Sequence, residues 1–294
     1  MKVHFIAVGG SVMHNLAIAL KHSGHTVTGS DDEIYDPART RLEKEGLLPA
    51  QDGWHADRIE SDLDAVILGM HAKEDNPELI RAKELGLKIY SFPEFIFEQS
   101  RSKHRIVIAG SHGKTTITSM IMHVMRGRGM DFDYLVGGQV EGFDVMVRLT
   151  KDAPTIILEG DEYLSSKLDP RPKFLLYQPH LAVISGIAWD HINVFPTEEE
   201  YRLQFEKLVG SMPKAGVIVF NEEDKPLVNI IKTVGDKEAY YLIPYKTPDY
   251  RIRDGKYEIK LQGVRSAMEV IGKHNMANIE AAWQVCNWIG IELE

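Results

Sequence analysis

The sequence predicts an α/β protein built from two successive domains, each a parallel sheet covered by helices. Three observations carry that reading. Short apolar runs ending in glycine, serine or an acid alternate with helix-period stretches through the first hundred residues. A polar segment, "QSRSKH" (99–104), then interrupts the alternation. Beyond it the pattern restarts with a strand, a glycine turn and a helix, "RIVIAGSHGKTT". At 294 residues the chain is long for one average domain and suits two. The boundary is expected at 102/103, giving domains over 1–102 and 103–294.

The first run, "KVHFIAV" (2–8), ends at Gly9-Gly10. "SVMHNLAIALKHSG" follows with Val12, Leu16, Ala19 and Leu20 on one helical side and Gly24 as the stop. "HTVTGSDD" reads as a second strand ending at Ser30-Asp31, and "DLDAVILGM" as a third. "NPELIRAKELG" is a helix with Asn76 as its cap, Pro77 in its first turn and Gly86 past its end. "KIYSFPEFIF" continues the alternation, and strands that alternate with helices pair in parallel.

In the second domain, "PTIILEG", "LAVISGI", "GVIVFN" and "AYYLI" are strand candidates. "YRIRDGKYEIKLQG" reads as two antiparallel strands turning at Asp254-Gly255. "KHNMANIEAAWQVCNWIG" closes the pattern as a helix with Ile279, Ala282, Trp283 and Cys286 on one face.

Composition narrows the function classes. Hydrophobic and charged fractions of 44% and 26% are those of an ordinary globular protein. A net charge of −9 without a basic run argues against nucleic acid, whose binding needs clustered Lys and Arg. The single cysteine, Cys286, permits no intrachain disulfide and sits in an apolar setting, so it reads as a buried structural thiol. No apolar stretch approaches the ~20 residues that span a bilayer. The amino terminus opens directly on a strand pattern, so a cytoplasmic protein is expected.

The chemistry concentrates at three strand ends. In "IAGSHGKTT" a glycine turn lies between an apolar strand and an apolar helix. There backbone N–H groups and the helix dipole converge on phosphate. Lys114 would neutralise β/γ-phosphates and the Thr115 hydroxyl would hold Mg²⁺. The usual early glycine is missing: Ile108 stands in its place, and the nearer glycine is Gly110. "TIILEGDEY" offers Glu159, Asp161 and Glu162 at the end of the next apolar strand, where a metal-binding or water-positioning acid belongs. "GIAWDHINVFPT" places Asp190-His191 after a third.

Together, G-S-H-G-K-T-T, E-G-D-E after a strand and D-H after the next resemble the Mur ligases, ATP-dependent enzymes that build the peptide of peptidoglycan precursors. "VHFIAVGGSVMHNLAIALKHSGHTVTGSD" is similar to the UDP-binding domain of the family's UDP-N-acetylmuramate branch, and "GKHNMANIEAA" to its adenine-contacting segment. The resemblance implies a Rossmann-like parallel-sheet N-terminal domain followed by a P-loop-type α/β central ATPase domain.

It also implies residue roles. Gly110, Ser111, His112, Gly113, Lys114, Thr115 and Thr116 form the ATP phosphate loop, with His274, Asn275 and Asn278 on the adenine side. Thr115 and Glu159 hold one Mg²⁺ and His191 the second; Lys114, Glu159 and His191 are the catalytic set. Gly9, Gly10, Ser11 and Met13 line the UDP diphosphate loop, with Ser30 and Asp31 at the next strand end and His71 near the sugar-nucleotide cleft. Asn275 also reads as a plain helix N-cap.

Within the family, "GSDDEIYDPARTRLEKEG" and the insert "DEYLSSKLDPRPKFLLYQP" look more like the branch that joins a tripeptide amine to UDP-N-acetylmuramate during recycling. The alternative acceptor is free L-alanine. Two departures stand out: Leu164 replaces the last acid of E-x-D-E-x-D, and "SGIAWDH" lacks the usual Asn and Glu. They admit a non-catalytic UDP-sugar-binding homologue as a further alternative. Without the resemblance, G-G-x-x-M with an acid about twenty residues on also suggests a dinucleotide site; the phosphate loop opposes an NAD-linked oxidoreductase. The family's third, peptide-binding domain is not found in the 294 residues, so the expected chain is a shortened one that binds UDP-sugar and ATP without completing ligation alone.

Overall fold

A computed structural model describes residues 1–234 and 239–292. Its elements follow the chain as β1 (Lys2–Ile6), α1 (Ser11–His22), β2 (Thr26–Ser30), α2 (Ala38–Lys44), β3 (Ala65–Leu68), α3 (Pro77–Glu84), β4 (Ile89–Ser91) and α4 (Phe92–Gln99). Next come β5 (His104–Ala109), α5 (Lys114–Gly127), β6 (Asp133–Leu135), β7 (Val147–Arg148), β8 (Thr155–Glu159), α6 (Lys173–Leu176) and β9 (Leu181–Ile184). The remainder are α7 (Glu198–Gly210), β10 (Val217–Asn221), α8 (Lys225–Thr233), β11 (Tyr241–Tyr245), β12 (Tyr250–Arg253), β13 (Lys256–Leu261), β14 (Val264–Met268) and α9 (Lys273–Trp288).

The chain forms two compact units: 1–103 with 133–154 and 163–177, and 104–132 with 155–162 and 178–294. The first unit therefore takes in two segments that the sequence reading had placed in the second domain. Side-chain anchors explain why they belong there. Met146 N–H donates to Asn15 Oδ1 of α1 at 3.0 Å, and Ser23 Oγ donates to Leu149 O at 2.5 Å. In the other segment, Lys167 N–H donates to Met70 O at 3.2 Å, and Arg171 pairs with Glu94 of α4 at 3.2 Å.

The first unit has a parallel sheet in the order β2-β1-β3-β4. β1 and β3 are almost wholly buried, because helices cover both faces. Ile6, Val66 and Leu68 meet Leu79 and Ala82 of α3 in one apolar cluster. Asn76 is the cap its sequence predicted: Oδ1 accepts from Glu78 N–H at 2.9 Å and Leu79 N–H at 3.1 Å. α4 opens on a capping box between Ser91 and Glu94. A polar network joins the buried His4 and Glu78 to Thr28 at the surface. His4 Nδ1 lies 2.8 Å from Thr28 Oγ1, and Nε2 lies 3.2 Å from Glu78 Oε2.

In the second unit, strands run parallel in the order β11-β10-β9-β5-β8. The middles of β5, β8, β9 and β10 are continuous buried apolar runs, as strands covered on both faces require, while β11 at the edge is largely exposed or half-buried. α5 and α9 pack against each other. β12, β13 and β14 form an antiparallel meander. Its first turn is the expected Asp254-Gly255, both at positive φ (50° and 76°), the pair a type I′ hairpin requires. Ile259 and Leu261 of the meander close over Met276 of α9. Cys286 is buried, and burial pushes its thiol up to about 11, as expected of a structural thiol.

Candidate functional site

Register decides what meets at the carboxyl edge of the second sheet. Ile108 of β5 pairs with Glu159 of β8 on one side and Val183 of β9 on the other. The phosphate-loop candidate, the acidic strand end and the Ser185–His191 segment therefore leave the sheet at one level. β8 flanks β5 on one side, and the chain then crosses to β9 on the other, so the strand order reverses at the end of β5.

Gly113 caps α5 with φ of 83°, and no side chain caps that helix. A Cβ at Gly113 would lie 2.5 Å from Asn278 Oδ1, so the loop rests directly on α9. Gly110 has φ of 125°, and a Cβ there would lie 2.3 Å from Ser185 Oγ. Ser185-Gly186 is thus pressed against the loop: Ser185 Oγ donates to His112 O, and Ser111 N–H donates to Gly186 O at 2.9 Å. This contact gives the small residues of the unusual "SGIAW" stretch a physical reason.

Lys114 Nζ donates to Gly110 O at 2.7 Å and to Glu162 Oε2 at 2.9 Å. Thr115 Oγ1 donates to Glu159 Oε1 at 2.9 Å. Glu162 is fully buried, and its other oxygen lies 3.4 Å from His191 Nε2 and accepts from the Tyr201 hydroxyl at 3.0 Å. Asp161, Glu162 and His191 each offer one ligand atom within 4.8 Å of the others. His191 sits at φ of 57°, a left-handed conformation that a non-glycine residue holds only where its surroundings fix it. Asp190 Oδ1 accepts its N–H at 2.7 Å.

The structure thus brings Thr115 to Glu159, and gathers Lys114 and His191 around Glu162. Ser111 is committed to the loop itself, its hydroxyl donating to Ala188 O at 2.6 Å. Leu164, the departure from the acidic pattern, forms a β-bridge with Pro172 within the first unit.

A cavity of about 830 Å³ adjoins the loop, within the range of small-molecule sites. His112, Gly113, Thr116, His274, Asn275 and Asn278 all line it. Asn275 is not a helix cap: Gly272 holds that position, and Asn275 Nδ2 donates back to Ile271 O at 2.8 Å. Asn278 Nδ2 in turn donates to Asn275 Oδ1 at 3.2 Å, so the two amides share a face. Asn221, Glu223, Tyr245 and Lys273 also line the cavity, and sequence reasoning missed them. The signal was present for Asn221, since it ends strand β10 as Glu159 ends β8. Tyr201 gave none, because "YRLQFEKLV" reads as a core-facing helix.

In the first unit, Gly9, Gly10 and Ser11 form the turn into α1, whose first turn carries no side-chain cap. Gly9 N–H donates to Asp31 Oδ2 at 2.7 Å. Met13 is buried against Gly10. The Ser30 hydroxyl faces the same network, 3.4 Å from His4 Nε2, and accepts from Arg58 at 2.8 Å. His71 is exposed in the turn after β3.

Burial raises the Asp31 carboxyl from 3.8 to about 6; the Gly9 N–H opposes the rise and Asp32 adds to it. A raised carboxyl favours the protonated folded state. The penalty is absent below the ordinary value, grows between about 4 and 6, and is complete above. At about 1.4 kcal/mol per tenfold, Asp31→Asn should stabilise the protein by about 1–3 kcal/mol at pH 8. The gain should shrink toward zero near pH 3.5. Urea denaturation at the two pH values checks this; an equal gain at both would refute it.

A glycine loop feeding a helix N-terminus, with a lysine at the helix start and acids at neighbouring strand ends, is an α/β arrangement whose geometry suits a phosphate. Residues 108–286 match the Mur ligase middle domain, and residues 2–104 match the profile described as Mur ligase family, catalytic domain. The chain belongs to the Mur ligase family.

Among curated relatives, it is 30% identical to UDP-N-acetylmuramate--L-alanine ligase of Sulfurihydrogenibium sp. (strain YO3AOP1), across 99% of this chain and 63% of that protein. It is 28% identical to the Escherichia coli (strain K12) UDP-N-acetylmuramate--L-alanyl-gamma-D-glutamyl-meso-2,6-diaminoheptandioate ligase, across 99% of this chain and 65% of that protein. The chain thus spans a little under two thirds of the length of these relatives. The crystal structure of the UDP-N-acetylmuramate:L-alanyl-gamma-D-glutamyl-meso-diaminopimelate ligase from Neisseria meningitides superimposes with a TM-score of 0.84 at 28% identity. That match covers 98% of this chain and 94% of that one. Among the described residues, no helix is long and apolar enough to cross a membrane.

Proposed function

We propose that this chain supplies the UDP-sugar-binding and ATP-binding units of an amide ligase. The reaction would join a peptide amine to the carboxylate of UDP-N-acetylmuramate in peptidoglycan precursor recycling, in the cytoplasm. The observation that carries this reading is the convergence of Lys114, Thr115, Glu159, Glu162 and His191 at one sheet edge in a Mur ligase family chain.

A carboxylate is a poor electrophile. Transfer of the ATP γ-phosphoryl group to a carboxylate oxygen gives an acyl phosphate and ADP. The amine then attacks the acyl carbon, the C–O bond to phosphate breaks, and the amine proton is lost. Lys114 would exchange its bond to Glu162 for the phosphate oxygens, and the open first turn of α5 would receive the same charge. Asn275 and Asn278 would orient the adenine side. The hard oxygen donors Thr115, Glu159, Asp161 and Glu162, with His191, suit Mg²⁺, and these residues would hold it. When bound, Mg²⁺ neutralises charge on the transferring phosphoryl group. Gly9, Gly10, Ser11 and Met13, with Ser30, Asp31 and His71, would serve the UDP-sugar.

For the acceptor, a tripeptide amine is favoured over free L-alanine by the likeness to the Neisseria ligase, whose name specifies that tripeptide. Titration calorimetry of the 294-residue chain tests the reading. UDP-N-acetylmuramate and a magnesium complex of a non-hydrolysable ATP analogue should both bind, and NADH should not. Binding of NADH with none of UDP-N-acetylmuramate would overturn the proposal.

A further inference from the structure

We propose that Tyr201, on α7, is a positioning residue that ties the phosphate loop to the carboxylate of Glu162. The proposal rests on the ATP-site reading above and adds a residue from a helix that reading does not use.

Tyr201 is fully buried, its ring edge-on to Phe195 and Phe205 at 5.5 and 5.3 Å. A phenol in such a setting needs a hydrogen-bond partner for its polar end. It has two: its hydroxyl donates to Glu162 Oε1 at 3.0 Å and lies 3.0 Å from Ser111 Oγ. Burial pushes its ionisation upward, so it remains a donor. The phenol thus bridges the loop's serine and the carboxylate that also holds Lys114 and faces His191.

Proton counting gives the bridge its consequence. Three contacts run along the chain from Ala188 O through Ser111 Oγ and Tyr201 to Glu162. The two hydroxyls supply two hydrogens. With the phenolic hydrogen on the carboxylate, the phenolic oxygen competes with Ala188 O for the single Ser111 hydrogen. A change in what Glu162 holds, whether Lys114 or a cation, alters its pull on the phenolic hydrogen and is felt at Ser111 in the loop.

Tyr201→Phe tests this, since it keeps the ring and its aromatic packing and removes only the hydroxyl. The readout is the Mg²⁺ concentration that half-saturates binding of a non-hydrolysable ATP analogue, with adenosine affinity measured alongside. The lost bond is to a charged group, so the cation requirement should rise about tenfold. General loosening of the unit would weaken adenosine to the same extent; loss of positioning changes the cation requirement alone. Ser111→Ala, which leaves the Tyr201–Glu162 bond intact, should raise the requirement about threefold and covers the case in which Tyr201→Phe fails to fold. An unchanged cation requirement in the variants overturns the role of Tyr201. Failure of the unaltered chain to bind the analogue overturns the ATP-site reading, and this proposal with it.

Discussion

Glu159→Ala is expected to weaken Mg²⁺-dependent binding of an ATP analogue by about a hundredfold or more, while UDP-N-acetylmuramate binding stays at its original affinity. The reason is placement. Glu159 ends β8, paired with Ile108 just before the phosphate loop, and its carboxylate already accepts the Thr115 hydroxyl at 2.9 Å. A cation held between that hydroxyl and that carboxylate loses its ionised ligand on substitution, and such a ligand contributes several kcal/mol of charge stabilisation. The UDP-sugar candidates lie in the other compact unit, so their affinity is an internal control. Calorimetric titration with and without Mg²⁺ checks both arms. An unchanged Mg²⁺ dependence would refute the ligand assignment.

Gly113→Ala should reduce nucleotide affinity about as severely, through two effects on one atom. The backbone there is left-handed, at φ of 83°, which costs a residue with a Cβ about 1–2 kcal/mol. The new methyl would also lie 2.5 Å from Asn278 Oδ1, so the Asn278 side chain must swing aside or α9 or the loop must move. Both flank the same cavity, and a displaced loop misdirects the N–H groups at the start of α5. A loss of about a hundredfold in affinity for the ATP analogue is expected, with a fall in melting temperature. Adding Asn278→Ala should recover part of the melting temperature, because the clash is gone, and little of the affinity, because an amide that lines the cavity is gone too. Recovery of full affinity in the double variant would show that strain at Gly113 plays no part.

Much of this was legible in the chain. Runs such as "RIVIA" and "LAVIS", set between helix-period stretches, read as strands, and Asn76-Pro77 and Asp254-Gly255 announced a cap and a hairpin through their own backbone preferences. The loop "GSHGKTT" announced its local structure, a strand, a glycine turn and a helix start. Other features were not legible. β6 and β7 are three and two residues long, too short for periodicity to register. Segments 133–154 and 163–177 join the first unit through anchors, such as Asn15 with Met146, that lie far apart in sequence. Asn275 reads as a cap from its neighbours, yet Gly272 starts the helix a turn earlier.

The sequence by itself determined the parallel α/β architecture, the glycine loop before α5 and the acids at the strand ends, because each depends on a short window of side-chain pattern and backbone preference. Only the tertiary structure decided which acid becomes the hub. Glu159, Asp161 and Glu162 are equivalent in a linear reading. Strand register turns Glu159 to Thr115, while burial brings Lys114, His191 and Tyr201 onto Glu162. A buried carboxylate is tolerated only where donors converge on it. Those donors come from three separate stretches of chain, and folding alone brings them together.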